Sequence, residues 1–487
     1  MNAVPHLSLF RSTDLDRLHE ASLWVLAEVG VRFRSARARA ILAENGAIVD
    51  GESQVVRIPR DLVEWAITAV PKTFTAGGRD PRHDLFLDHS RTYVTLGGVA
   101  PGTLDFRTGE RRQATNADLS DAIRVSDALP EIDLLYPIVT CSDADPELAA
   151  LQPVATTLTN SGKHAQLEVF HPAEVPYVME IAKLAAGDGG WDTARPIFSN
   201  LYCPVAPLQH EADPLDAALA LVSEGVPQVV FSLPLAGATA PASIAGAMVQ
   251  CNCEVLSAFV AMQLTAPGCP LVYVANAAIM DMRTATYVQG GPETTLFDAG
   301  LTELGQRYGL PVLTLGFYTD AKEVSMHMGI DDEPMTLAAF LTGPDIVSGP
   351  GLMDSAMLLF LPKLVLDAEV RRRCDRVMEG VELDDDHLML DTIASVGPGG
   401  QFLTAKQTPR MLRLGEHHVP QVFLRPTYDA WAVEGKSELD RAVELLEDIL
   451  ATHEVFALPD GALDGIEDVL RRACVELPAR RSASRGC

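Results

Sequence analysis

The stretch Asp298–Tyr318 reads DAGLTELGQRYGLPVLTLGFY and contains the unit that decides the fold. Its first half, Asp298–Tyr308, has a helical pattern, and Gly309 stands where helices commonly end. Pro311 then leads into a short run that includes β-branched and aromatic residues. A helix followed at once by a short strand is the repeating unit of a parallel sheet. This stretch therefore predicts α/β architecture.

Strand-like runs of the same kind recur along the chain, separated by helical stretches at intervals of roughly 30 to 40 residues. The eight runs are Tyr93–Gly97, Leu134–Thr140, His164–Phe170, Ile197–Cys203, Gln228–Leu233, Leu271–Asn276, Val312–Tyr318 and Asp345–Ser348. Eight strands with intervening helices predict a closed (β/α)8 barrel of the TIM type. An open doubly wound sheet is the alternative, but such a sheet usually carries a glycine-rich phosphate loop, and Gly97–Gly102 is not GxGxxG.

The segments around the barrel are predicted to be helical. Residues 1–90 form an N-terminal helical cap, with helices expected at 14–28, 36–46 and 60–68. Residues 91–380 form the barrel, and residues 381–487 form a helical extension that packs on it. The last predicted helix of this extension is amphipathic and runs from Ser437 to Thr452.

The composition excludes several classes of protein. The 487 residues include 38 Lys and Arg against 66 Asp and Glu, a formal charge of −28, which disfavours binding to nucleic acid or to anionic membranes. The N-terminus lacks a signal-peptide pattern, and no 18-residue run is uninterruptedly apolar. Eight cysteines show no CxxC pair, which suits free thiols in a reducing compartment. We expect a cytoplasmic protein.

Candidate site residues follow from the side-chain alternation of the strands, because barrel active sites lie at the carboxyl ends of the strands. In the third strand, Ala165, Leu167 and Val169 share one face, which places Glu168 on the other face. The same reasoning predicts polar side chains facing a common mouth at Asn200, Tyr202, Asn276, Thr314, Tyr318 and Asp320. Structural alternatives stay open: Glu168 could pair with a base inside the barrel, Asp320 could pair with Lys322, and the aromatic residues could belong to the core.

The sequence predicts no metal site. Cys251 and Cys253 are separated by one residue, so on a helix their thiols would point about 200° apart. A GxSxG nucleophile elbow is also absent from the sequence, which leaves Ser-His-Asp hydrolysis without a local signature.

Several segments, in order along residues 10 to 455, resemble the trimethylamine methyltransferase family. They are His19–Leu23, Glu28–Val31, Gly78–Pro81, Asp105–Arg112, Asp281–Thr284, Gly290–Glu293 and Thr319–Lys322. The resemblance implies a (β/α)8 barrel. The founding members carry pyrrolysine in the loop after the seventh strand, whereas Glu323–Glu333 contains standard residues only. The chain therefore resembles the non-pyrrolysine branch, whose members act on quaternary amines such as glycine betaine, proline betaine and carnitine.

The resemblance implies transfer of a methyl group from a quaternary amine to the Co(I) of a corrinoid protein. It implies no tightly bound cofactor, because a partner protein presents the cobalamin, and we expect a homo-oligomer. Glu168, Asp320 and His327 are the predicted catalytic residues. The predicted substrate-binding residues are Asn200, Tyr202, Asn276, Arg283, Phe317 and Tyr318, with the tyrosines facing the ammonium group.

The sequence departs from the family pattern near the C-terminus, where Lys406-Gln407-Thr408 stands in place of an expected His-Thr. Three alternatives remain. The same fold could transfer methyl directly to tetrahydrofolate, a barrel lyase could use Glu168 or Asp320 as its base, or the protein could bind a betaine without catalysis.

Overall fold

The computed structural model describes residues 4–187 and 190–484. At its centre, eight parallel strands pair in chain order. The ring closes where Tyr273 of the sixth strand pairs with Val312 beside the seventh, so the predicted barrel is confirmed. The strands are Tyr93–Thr95, Leu134–Leu135, His164–Leu167, Phe198–Tyr202, Gln228–Ser232, Leu271–Ala275, Leu313–Leu315 and Ile346–Ser348.

A helix follows each strand and covers the outside of the barrel, so both faces of the sheet are buried. These helices are Asn116–Ala128, Leu151–Thr159, Val175–Ala186, Ala212–Ser223, Ile244–Thr265, Pro292–Arg307, Met326–Thr342 and Leu361–Met378. Ile244–Thr265 is long and apolar enough to cross a membrane by length and composition, but 78% of its apolar window is buried inside the protein. It is a core helix of the barrel.

A hairpin closes the lower end of the barrel, where the strands begin. Its two strands, Phe74–Ala76 and Leu85–Leu87, join a buried cluster made of the first inward side chains of the barrel, including Tyr93 and Leu134. Gly77 lies at the hairpin turn, and a Cβ there would meet the Arg195 Cγ at 2.6 Å. The segment Gly77–Pro81 is thus packed into the lower end of the barrel.

The upper end carries two small sheets built by the loops. One joins Gly102–Leu104 and Arg111–Gln113, after the first strand, to Leu352–Met353 and Leu358–Leu359, after the eighth. The other joins Leu235–Ala236, after the fifth strand, to Ala278–Asp281 and Thr286–Val288, after the sixth. The upper end is therefore framed by two opposed pairs of loops.

The first ninety residues contain the helices Ser12–Trp24, Ala36–Glu44 and Arg60–Ala69, with a π-helical turn at Val25–Val29. They also supply three strands of a four-stranded sheet that was not predicted from the sequence. Its strands, in order, are Gln209–His210, Val31–Phe33, Val55–Arg57 and Ile48–Val49. The first of these belongs to the loop after the fourth barrel strand, so the cap is hydrogen-bonded to the barrel.

The C-terminal part begins with an extended segment, residues 379–435, which we call the arm. It contains the short helices Asp385–Leu388, Leu390–Val396, Thr408–Arg413 and Tyr428–Glu434. Helix Glu438–Thr452 then packs on the barrel helices Leu361–Met378 and Asn116–Ala128, and Ala462–Ser484 packs on Val175–Ala186. The division of the chain into three domains stays a prediction.

Candidate active site

The third barrel strand directs Glu168 towards the upper end of the barrel interior. Ala165 and Leu167 pack in the helix layer, so His164 and Glu168 point inward. His164 lies at the closed end, where its Nδ1 is 2.9 Å from the Gly77 carbonyl oxygen. Glu168 lies four residues further along the strand, towards the upper end. Burial raises the pKa of its carboxyl group to about 7, although the facing Tyr136 hydroxyl lowers that pKa. A carboxyl group whose pKa is close to neutral pH thus lies at the predicted mouth.

Tyr136 lies beside Glu168, and Tyr318 lies near Tyr136. Burial raises the pKa of Tyr136 well above its usual value, and the neighbouring charges of Glu168 and Tyr318 raise it further. The Tyr318 hydroxyl accepts a hydrogen bond of 3.2 Å from the Gly98 amide. A Cβ on Gly97 would come within 2.9 Å of the same hydroxyl. The glycines after the first strand therefore leave room for the Tyr318 ring at the mouth.

A second group of polar side chains lies beside Tyr318 and was only partly predicted. Burial raises the pKa of Asp298 well above its usual value, while nearby Asn276 and Thr314 lower it. Asn276 and Thr314 are close enough to Asp298 to act on its carboxyl group, but none of the side-chain oxygen and nitrogen atoms of Asp298, Asn276 and Tyr287 has a hydrogen bond of good geometry. Burial raises the pKa of Tyr287 and Tyr318, and nearby Asp298 adds to both shifts. Buried polar atoms are usually paired, so this group has unused capacity for hydrogen bonds.

Asp320 and His327 lie on the rim next to this group. The Asp320 carboxylate accepts hydrogen bonds from the Gln289 amide at 2.9 Å and the Ser355 hydroxyl at 2.6 Å. His327 is exposed and its Nε2 lies 3.1 Å from an Asp331 oxygen, which also accepts a hydrogen bond from the Asp320 amide. Asp320 therefore joins the loops of the rim, and His327 reaches it through Asp331.

The predicted orientation of the fourth strand was wrong. Leu167 pairs in register with Asn200, and residues paired across a parallel ladder share a face, so Asn200 and Tyr202 point into the helix layer. The Tyr202 hydroxyl is 2.7 Å from Nδ1 of buried His210, and the Asn200 amide donates to Gln228 at 2.8 Å. The inward residue at the end of this strand is Cys203, which is exposed to solvent, although the surrounding protein and nearby Glu168 raise the pKa of its thiol.

Phe317 and Arg283 also lie away from the mouth. Phe317 has a φ of 59° and packs edge-on against Phe340 of the helix layer, because the chain turns there after the seventh strand. Thr314, predicted to face the mouth, lies on the helix side of the same strand near Asp298. Arg283 is exposed at a hairpin tip and pairs with Asp281 at 2.9 Å.

A cavity of about 370 Å³ opens beside Glu168. Its wall is largely apolar and includes Val99, Val139, Pro153 and Phe170, and both Val99 and Phe170 are exposed. These residues follow the first, second and third strands, so the cavity lies at the end of the barrel where the strands finish. Apolar surface there is accessible to a second molecule.

The Cys251 and Cys253 thiols point to different partners. The Cys251 Sγ contacts the Asn276 carbonyl oxygen at 2.8 Å, whereas the Cys253 Sγ contacts the Ser22 carbonyl oxygen at 3.4 Å. Within residues 4–187 and 190–484, Glu382, Asp384 and His387 place ligand atoms within 4.8 Å of one another. That group lies in the arm rather than at the mouth.

Comparison with known proteins assigns the family. The family description "Trimethylamine methyltransferase (MTTB)" matches residues 1–478. The chain belongs to this family. It is 30% identical over 462 residues to the trimethylamine methyltransferase MttB of Methanosarcina thermophila, covering 93% of this chain and 95% of the relative. It is 28% identical over 457 residues to the glycine betaine methyltransferase of Desulfitobacterium hafniense, covering 93% and 95%.

The solved structures agree on the fold. The monomethylamine methyltransferase of Methanosarcina barkeri superposes with a TM-score of 0.55 at 14% identity, over 91% of this chain and 89% of that chain. The trimethylamine methyltransferase family thus supplies the chemistry class, methyl transfer, and its barrel is the one described above. Residue roles in this family member rest on the geometry of the mouth.

Sequence reasoning missed Tyr136, Cys203, Tyr287 and Asp298. Tyr136 lies two residues beyond Leu134, an inward residue of the second strand, so the same alternation rule could have found it. Tyr287 and Asp298 follow the sixth strand in a hairpin and a helix. Their positions depend on how the chain returns over the barrel, for which the sequence holds no local signal.

Proposed function

We propose that the protein transfers a methyl group from a quaternary amine, of the glycine betaine type, to the Co(I) of a corrinoid carried by a partner protein. The proposal rests on one observation within a methyltransferase family member: Tyr136 lies near the mouth of the barrel, close to both Glu168 and Tyr318. Aromatic faces and a carboxylate are the groups that recognise a quaternary ammonium ion.

The proposed reaction needs little from the protein beyond binding and orientation. The carbon–nitrogen bond breaks, its electron pair leaves with nitrogen as a neutral tertiary amine, and the methyl carbon bonds to cobalt. The nitrogen is already positively charged, so the leaving group needs no proton. The tyrosine faces would hold the ammonium, ionised Glu168 would balance its charge, and the enclosed barrel would exclude water.

The upper end of the barrel suits a large acceptor. Val99, Phe170 and Val205, which follow the first, third and fourth strands, are exposed apolar side chains around the Glu168 side of the mouth. A corrinoid supplies a strong cobalt nucleophile on a broad, partly apolar ring, and these side chains are the ones we assign to contact it. The acceptor would approach from above while the amine lies below.

The polar end of the amine would face Asn276, Tyr287 and Asp298. These groups have unused hydrogen-bonding capacity, whereas Arg283, the predicted partner for a substrate carboxylate, is held at the hairpin tip. We therefore assign recognition of this end to hydrogen bonds with neutral groups. His327 would act on the rim, through Asp331, rather than on the amine itself.

The test is a spectroscopic assay with reduced cobalamin and a panel of glycine betaine, proline betaine, carnitine, choline and tetramethylammonium. The expected result is conversion of the Co(I) spectrum with at least one amine, and a matching demethylated product. Reactions without amine, and reactions with tetrahydrofolate in place of cobalamin, are run in parallel. Turnover with tetrahydrofolate alone would move the proposal to direct transfer, and silence with every amine and either acceptor would refute methyl transfer from quaternary amines.

A lyase that uses Glu168 as its base is the second candidate, favoured by the pKa of about 7 of this carboxyl group. A general base works best when its pKa lies near the working pH. The two candidates differ in their need for an acceptor. Consumption of an amine without any corrinoid or folate would support the lyase, whereas tight binding without turnover under all conditions would support a betaine-binding protein.

A further inference from the structure

The arm, residues 379–435, has more exposed apolar side chains for its length than the rest of the molecule. It contains 14 of the 34 large apolar side chains that are exposed among the described residues. Leu403 is 76% exposed, Val419 77% and Val433 89%. Only Thr392, Met411 and Val422 are buried within the described arm. Isolated exposed apolar residues are ordinary, but such a concentration marks an interaction surface.

The solvent-accessible surface of the whole chain is also larger than expected for a compact monomer. A compact monomer of 52.4 kDa is expected to expose about 17,600 Å². The chain exposes 21110 Å², an excess of about 3,500 Å² over that expectation. Permanent homodimers commonly bury 2,000 to 5,000 Å² in total, or roughly 1,000 to 2,500 Å² from each chain. The excess is therefore large enough to supply one chain's share of a permanent interface.

The anchors of the arm lie away from the mouth. Arg371, in the helix that leads into the arm, donates hydrogen bonds to the carbonyl oxygens of Thr92 and Glu131, just before the first and second barrel strands. The arm returns to this helix where the Gln421 and Val422 amides donate to Glu369. These anchors lie along the side and lower end of the barrel, so a protein bound to the arm there would not present a cofactor to the mouth.

We propose that the arm is a subunit interface that a second copy of this chain covers. A second copy is always present when the chain is made, whereas a corrinoid protein must dock and leave in each catalytic cycle. Apolar surface left exposed whenever the corrinoid protein is not bound would favour aggregation. A closed two-fold dimer buries the same arm on both chains.

The test is the molar mass of the full-length protein in solution, measured by light scattering after size-exclusion chromatography at micromolar concentration. The expected mass is twice 52.4 kDa, or a higher even multiple of it. Leu403→Glu, Val419→Glu and Val433→Glu change side chains that are exposed in the single chain. They should therefore lower the mass towards 52.4 kDa without unfolding the barrel, as judged by circular dichroism.

Ile48→Glu is the matched control, because Ile48 is 65% exposed in the N-terminal sheet, outside the arm. It should leave the assembly unchanged. A monomeric wild type, or a dimer that all three arm variants leave intact, would overturn the proposal. Arm variants that keep their assembly but lose methyl transfer to a corrinoid protein would overturn it too and assign the arm to that protein.

Discussion

The protonation of Glu168 makes both stability and ligand binding depend on pH. Its pKa of about 7, above the ordinary 4.5, results from burial, so the folded protein binds this proton more tightly than the unfolded chain. Between about pH 4.5 and 7, the carboxyl therefore makes the free energy of unfolding decrease as pH rises. A bound ammonium ion instead favours the ionised form of Glu168, because it stabilises the carboxylate and lowers its pKa.

We therefore expect the affinity for tetramethylammonium to increase as pH rises through about 7 and to become independent of pH in Glu168→Gln. Isothermal titration calorimetry between pH 5.5 and 8.5 measures this dependence. Glu180→Gln, which alters an exposed carboxylate that pairs with Arg472, should retain the wild-type profile. The same pH profile in Glu168→Gln and in the wild type would contradict the assignment.

Tyr318 and Tyr202 offer a paired comparison, because both are buried tyrosines but only Tyr318 lies at the mouth. Tyr318→Ala should weaken tetramethylammonium binding by about 0.5 to 2 kcal/mol, and Tyr318→Phe should recover most of it, because the ring face carries the attraction. Tyr202→Phe should leave binding unchanged and cost about 0.5 to 1.5 kcal/mol of stability through loss of the His210 hydrogen bond. Equal loss of affinity in the Tyr202 variant would contradict this geometry.

At the scale of elements, a buried ion network fixes the loop that carries Tyr318. The Lys363 Nζ donates to the Phe317 carbonyl oxygen at 2.8 Å and lies 2.8 Å from carboxylate oxygens of both Asp332 and Asp367. The three side chains come from two barrel helices and are fully or almost fully buried. The network thus joins those helices to the turn after the seventh strand.

Lys363→Met should lower the free energy of unfolding by about 3 to 5 kcal/mol, because it leaves two carboxylates buried without their cation. Urea denaturation monitored by fluorescence measures the change. Arg373→Met, which removes a half-exposed partner of Glu333, is the control and should cost at most about 1 kcal/mol. A similar small loss in both variants would show that the buried network contributes little.

The strands also show what sequence alternation can and cannot predict. All eight barrel strands were predicted, and the phase of the third was right because its apolar face, Ala165 and Leu167, meets the helix layer. The phase of the fourth was wrong because both of its faces are buried, so Asn200 and Tyr202 satisfy their polar groups in the helix layer. Only the register with the third strand, which the sequence does not encode locally, decides between the two faces.

On the scale of the whole molecule, the segments that carried the family resemblance are mostly turns rather than reacting groups. Asp105 accepts hydrogen bonds from the Arg107 and Thr108 amides in one hairpin turn, and Asp281 accepts one from the Arg283 amide in another. Such turns require particular residues, so they identify the family and its barrel. The substrate depends on side chains that meet only after folding, such as Tyr287 and Asp298, and those could not be read in advance.

The hairpin Phe74–Leu87 covers the lower end of the barrel, so the upper end is the entrance to the site. With a single entrance, the molecule that binds second must leave before the molecule that bound first. For a methyltransferase of the proposed kind, the amine must enter before the corrinoid protein covers the entrance, and the demethylated amine must wait until that protein has departed. In that proposed reaction the closed lower end, far from the reacting atoms, would impose an order of binding and release, and retained product would compete directly with the next amine.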